Sequence, residues 1–124
     1  MKSAIMVYAD PKSGSEEALG RLFNALAATY EFKNKGDDVT LMFQGTGTRW
    51  IGELSKKDHP AYELFESVKD KVAGVSCGCA DVFGATQEAE KSGFELIKDN
   101  NVPSTSGLTS IRKLIDDGYT ILNF

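Results

Sequence analysis

Ala4-Ile5-Met6-Val7-Tyr8 is an unbroken apolar stretch, and its reading decides the fold. A strand with one wet face alternates apolar and polar residues, whereas a strand covered on both faces is apolar throughout. This stretch is therefore expected to be a central parallel strand. Working outward, Asp10-Pro11-Lys12-Ser13-Gly14-Ser15 is a loop in which Ser13 has capping-box spacing to Glu16, with Ser15 as the alternative N-cap. Leu19, Leu22, Phe23, Leu26, Ala27 and Tyr30 then recur with the period of a helix. Gly36 stands where a helix C-cap belongs, before a second apolar run at Val39-Thr40-Leu41-Met42-Phe43.

The alternation continues to the end of the chain. A glycine-rich turn, Gln44-Gly45-Thr46-Gly47-Thr48-Arg49-Trp50, leads into a short amphipathic piece, and Pro60 suits the first turn of a further helix. Ala61, Leu64, Phe65, Val68 and Val72 form its stripe. A short strand near Val75 to Cys77 follows, then a helix read from Val82, Phe83, Thr86 and Ala89 that stops near Gly93. Phe94-Glu95-Leu96-Ile97 is the fourth strand, and a polar loop spans Asn100 to Gly107. A last helix carries Leu108, Ile111, Leu114 and Ile115, and Tyr119-Thr120-Ile121-Leu122-Asn123-Phe124 is the fifth strand. Strands alternating with helices predict a three-layer α/β/α domain over residues 1–124, with a mostly parallel five-stranded sheet of general flavodoxin-like layout.

Composition narrows the function classes. The chain has 124 residues, 41% hydrophobic and 26% charged, the balance of a globular protein. Its net charge is −4 with acids and bases interleaved, so no basic stripe offers itself to nucleic acid. The opening apolar run is too short for a signal peptide and no stretch is long enough to span a bilayer, which leads to the expectation of a cytoplasmic protein with reduced thiols.

Both cysteines lie in Val75-Ser76-Cys77-Gly78-Cys79-Ala80, at a strand-to-helix junction. Open α/β sheets place ligands at such carboxyl edges, and a sulfur at a helix start faces the positive end of the helix dipole. Cys77 is the candidate nucleophile and Cys79 a neighbour able to resolve an oxidised or persulfidated sulfur. The alternative is that both are small buried hydrophobes. Strand alternation would send both to the same side. Two cysteines and the single His59 fall short of a zinc ligand set, so no metal is expected.

This pattern resembles the DsrE-like family of small α/β proteins, which includes the sulfur-relay subunits of the Dsr and Tus systems. The residues that carry the resemblance are the apolar first strand with its Ser/Gly loop, the Cys77-Gly78-Cys79-Ala80 junction, and Thr105-Ser106-Gly107-Leu108 through Ile121-Leu122-Asn123-Phe124. It implies that Cys77, following the third strand, accepts sulfane sulfur as a persulfide and passes it to a partner thiol, as a sulfurtransferase or relay subunit without a cofactor. It also implies a homo-oligomer, trimer or hexamer, and donor and acceptor proteins. Cys79 and the Gly45-Thr46-Gly47-Thr48-Arg49-Trp50 segment depart from the relay pattern.

Other residues admit two readings each. Gly45, Thr46 and Gly47 could cradle an anion with Arg49 neutralising it, although a glycine-permitted turn explains them as well. Ser13, Ser15, Ser104, Thr105 and Ser106 are either hydrogen-bonding groups for a small ligand at the sheet edge or caps and turn formers, and Gly78 borders the same edge. Asp10 after the first strand has the position of a metal or ribose ligand but no acidic partner. Trp50 is an interface anchor or a core residue, and His59 beside Pro60 at a helix start has a surface or capping role. The alternative function is a non-catalytic oligomeric module that binds a small anion or nucleotide; a subunit that serves assembly alone is the third.

Overall fold

The computed structural model describes residues 1–124. Five strands form one sheet: β1 (Lys2–Val7), β2 (Asp38–Phe43), β3 (Val72–Ser76), β4 (Leu96–Ile97) and β5 (Thr120–Asn123), in the order β4-β3-β2-β1-β5. Every pairing is parallel, so the sheet is wholly rather than mostly parallel. The apolar run at Ala4–Val7 has no exposure because β2 and β5 flank β1 and helices cover both of its faces.

Six helices connect the strands: α1 (Glu16–Asn34), α2 (Trp50–Leu54), α3 (Tyr62–Val68), α4 (Cys77–Phe83), α5 (Thr86–Lys91) and α6 (Ile111–Asp116). They divide unequally between the faces. Ile5, Val7, Leu41, Phe43 and Val75 turn toward α1 to α5, packing with Leu22, Leu26, Ile51, Leu54, Phe65, Val68 and Ala89. Ala4, Met6, Met42 and Ile97 turn the other way onto Leu114 of α6. One six-residue helix thus forms the entire third layer.

Local chemistry sets the element ends. Ser15, not Ser13, caps α1 by accepting from the Ala18 amide at 3.1 Å, while Ser13 Oγ accepts from the Ser15 amide. The buried face of α1 is Ala18, Leu22, Ala25, Leu26 and Thr29; Ala27 and Tyr30, expected on that stripe, are exposed. The helix expected over Val82 to Ala89 is two helices, because Gly84 takes a left-handed φ of 73° and ends α4. Val82 is consequently 72% exposed. Leu108 lies outside α6 in an antiparallel bridge to Asn100, and Ile115 faces away from the sheet.

Candidate functional site

β3 delivers the cysteines to the carboxyl edge of the sheet. Ser76 ends the strand and occupies the N-cap position of α4, but its hydroxyl makes no capping bond and is buried without a partner. Cys77 is therefore the first residue of α4 rather than the last of a strand. This changes the relation between the thiols. Residues two apart on a helix point roughly 200° apart, so Cys77 and Cys79 diverge instead of sharing a side. Cys77 is 6% exposed and Cys79 is half-buried; no disulfide joins them.

The segment 98–110, between β4 and α6, closes over Cys77. Asn100 and Leu108 exchange backbone hydrogen bonds at 2.8 and 2.9 Å, pinching the segment into a loop. Within it the Gly107 amide donates to Thr105 Oγ1, and Thr105 Oγ1 donates to the Val102 carbonyl. The loop lies directly on α4, where the Gly78 amide donates to the Gly107 carbonyl at 2.7 Å. Glycine suits this approach: a Cβ at Gly78 would stand 3.1 Å from the Gly107 carbonyl oxygen, tighter than an ordinary contact, and 2.8 Å from the movable Leu108 Cδ1. Gly107 is required: its φ is 104°, and a Cβ there would stand 2.5 Å from Lys98 Cβ.

This clamp brings Ser106 Oγ to 3.2 Å from Cys77 Sγ and 2.5 Å from Asp81 Oδ2. Asp81 follows Cys77 by four residues and so lies on the same face of α4. Thr86, the first residue of α5, donates to Asp81 Oδ1 at 2.7 Å. The Ser106 bond, followed by the Thr86 bond and the charge of Lys98, holds the Asp81 carboxyl below the usual aspartate range. Cys77 thus faces an exposed hydroxyl–carboxylate pair at one side. The sequence reading missed Asp81 and Thr86. The spacing Cys77-x-x-x-Asp81 would have revealed the first, had the helix been started at Cys77.

The other candidates gather elsewhere. Arg49 Nη1 lies 3.2 and 3.1 Å from the two carboxylate oxygens of Asp10, and its Nε donates to the Phe83 carbonyl at the end of α4. Its guanidinium also stands over the Phe83 ring, 5.4 Å from the centroid. Asp10 in turn accepts from the Lys12 amide, capping a short 3₁₀ turn at Pro11–Ser13. Both charges are thereby engaged within the chain. Gly45–Arg49 is likewise a 3₁₀ turn, closed within by Thr48 Oγ1 donating to the Gly45 carbonyl and tied to the end of β1 by Thr46 Oγ1 donating to the Tyr8 carbonyl. A Cβ on Gly47 would stand 2.1 Å from the Val7 carbonyl oxygen, so Gly47 serves close packing against β1. Ser13 Oγ is paired with Ser15 Oγ at 3.1 Å.

Trp50 is a core residue, 2% exposed, and its Nε1 donates to the Ala9 carbonyl at 2.7 Å. His59 Nδ1 accepts from the Ala61 amide in the turn ahead of α3; the N-cap of that helix is Ala61, and no side chain caps it. No group of three or more His, Cys, Asp or Glu residues stands close enough to hold a metal. No helix is long and apolar enough to cross a membrane. A cavity of about 430 Å³ lies beneath α6, lined among others by Met42, Ile97, Thr109 and Tyr119, and one of about 220 Å³ lies beside Arg49; neither is lined by Cys77.

An all-parallel sheet with a cysteine at the carboxyl edge of its third strand defines a small α/β protein of the thiol-bearing kind. The chain belongs to the DsrE/DsrF-like family, whose model matches residues 1–124. It is 32% identical over 101 residues to the uncharacterized protein MJ0733 of Methanocaldococcus jannaschii, a match covering 82% of this chain and 78% of that one. No solved structure gives a significant match.

Proposed function

We propose that this protein is a persulfide carrier in which Cys77 is the sulfur-bearing residue. The observation that carries the proposal is the contact of the Cys77 sulfur with Ser106, itself bonded to Asp81, at the edge of the sheet. A cysteine serving only as a core hydrophobe packs mainly against hydrocarbon. Here one side is polar, and a segment closed by a two-bond bridge covers it. Membership of the sulfur-relay-related family supplies the chemistry.

In the loading step the Cys77 thiolate attacks the outer sulfur of a donor persulfide. A new S–S bond forms to Cys77, the donor's S–S bond breaks, and the donor leaves as a thiolate. The reverse exchange, attack of an acceptor thiolate on the outer sulfur of Cys77–S–S⁻, delivers the sulfur and regenerates Cys77. No cofactor enters either step. Donor and acceptor proteins, a reducing compartment and assembly into a trimer or hexamer belong to the same reading.

Mass spectrometry after incubation with a small-molecule persulfide is the test. One added sulfur on Cys77, retained in Cys79→Ser and lost in Cys77→Ser, is the expected result. No adduct, or an adduct that survives Cys77→Ser, refutes it. The anion-binding alternative receives less support, because Ser13, Thr46 and Arg49 already have partners within the chain.

A further inference from the structure

We propose that Ser106 and Asp81 set the protonation of Cys77: the Ser106 hydroxyl carries one hydrogen that sulfur and carboxylate compete for, and Asp81, by claiming it, keeps the sulfur a neutral thiol. This deepens the carrier reading by naming how its nucleophile is held in reserve. Ser106 Oγ is within bonding distance of both Cys77 Sγ, at 3.2 Å, and Asp81 Oδ2, at 2.5 Å. A hydroxyl can donate to one of them at a time, and an ionised carboxylate can only accept.

The competition has a direction. A hydrogen bond to a carboxylate is charge-assisted and roughly twice as strong as a neutral one, so the resting hydrogen lies toward Asp81. The thiol then donates its own hydrogen to a free lone pair of Ser106 Oγ. When the thiol proton leaves to solvent, the sulfur anion needs a donor, and the hydroxyl must rotate toward it. Asp81 then keeps Thr86, at 2.7 Å, and loses Ser106. That loss opposes ionisation of Cys77 and adds to the repulsion between two negative groups on one helix face.

The remaining charges nearby leave this balance to Asp81. Lys98, just beyond β4, acts on the Asp81 carboxylate and favours its anionic form. Arg49, from the 3₁₀ turn packed on α4, sits at the opposite helix end and is engaged by Asp10 and the Phe83 carbonyl. β3 carries no titratable side chain, and Glu88 of α5 lies against Gly52 of α2. Asp81 and Ser106 are accordingly positioning residues, acting on the sulfur's charge.

The test is the pH dependence of Cys77 alkylation by iodoacetamide in a Cys79→Ser background. The midpoint reports ionisation and the high-pH plateau reports access. Asp81→Asn is expected to move the midpoint down and speed alkylation at pH 7 by roughly three- to tenfold, with the plateau unchanged. Thr86→Val, which leaves Asp81 dependent on Ser106, is expected to move it up. Ser106→Ala is expected to reduce the Asp81→Asn effect to less than about half, whereas Ser106→Thr, which keeps a hydroxyl, preserves it.

An unchanged or raised midpoint in Asp81→Asn overturns the proposal. So does a full Asp81→Asn effect in the Ser106→Ala background, which would make the influence a through-space field. Thermal denaturation of each variant establishes that it is folded. Alkylation uses no persulfide, so failure of sulfur loading would leave this result standing, and failure here would leave loading intact.

Discussion

Gly78→Ala adds one methyl group where the 98–110 loop rests on α4. The new carbon would stand 2.8 Å from Leu108 Cδ1, 3.1 Å from the Gly107 carbonyl oxygen and 3.2 Å from Thr105 Cβ. Comfortable carbon contacts begin near about 3.5 Å, so every neighbour must retreat. The Leu108 methyl can swing aside. The Gly107 carbonyl cannot withdraw without losing its 2.7 Å bond from the Gly78 amide, and Gly107 is backed against Lys98. Overpacking of this kind costs about 1–3 kcal/mol, and the helix preference of alanine over glycine returns up to about 1 kcal/mol. The net expectation is destabilisation by about 1–2 kcal/mol, or a fall in Tm of roughly 4–8 °C for a domain of this size. Urea denaturation should show a lower midpoint with the same slope. The plateau rate of Cys77 alkylation should rise, because the loop that covers the sulfur has been lifted. A variant as stable as its parent, with Cys77 no more accessible, would refute the clamp that positions Ser106.

Three further outcomes follow from hydrogen bonds elsewhere in the molecule and from its two perturbed carboxylates. Ser15→Ala removes the cap on the Ala18 amide and should cost about 1 kcal/mol in urea unfolding, with Ser13→Ala costing less. Trp50→Phe leaves the Ala9 carbonyl without its 2.7 Å donor; a loss of about 1–3 kcal/mol is expected from thermal or urea denaturation. Asp81 and Asp70 both have carboxyls held below the ordinary range, Asp70 through its bond from Lys33 and Asp81 through Ser106. Because the folded values lie below the unfolded ones, their stabilisation is present above the ordinary aspartate value of about 3.9 and is lost as pH falls through the folded values. Urea midpoints measured from pH 6 downward should therefore fall less steeply below about pH 4 in Asp81→Asn than in the parent.

The layered fold was legible because burial on both faces leaves a signal in composition. Ala4–Val7 read as a central parallel strand from its length and unbroken apolar composition, and Gly36 and Gly118, at φ of 80° and 89°, mark chain reversals at the positions expected. Individual helix faces were less legible. Ala18 and Thr29 are buried on α1 while Tyr30 is not, because the covering of β1 and β2, rather than bulk, decides which side turns inward. The break at Gly84 was invisible to periodicity, since apolar residues on both sides of a short interruption still fit one helical stripe.

Sequence by itself determined an alternating α/β chain with its two sulfurs at one strand-to-helix junction, because apolar periodicity and glycine placement are local properties of the chain. Tertiary structure alone decided that Cys77 meets Ser106, 29 residues away, while Arg49 is held by Asp10. The physical reason is that hydrogen-bond partners are chosen by where loops land. The landing of 98–110 on α4 depends on close approaches at Gly78 and Gly107 that no residue encodes on its own.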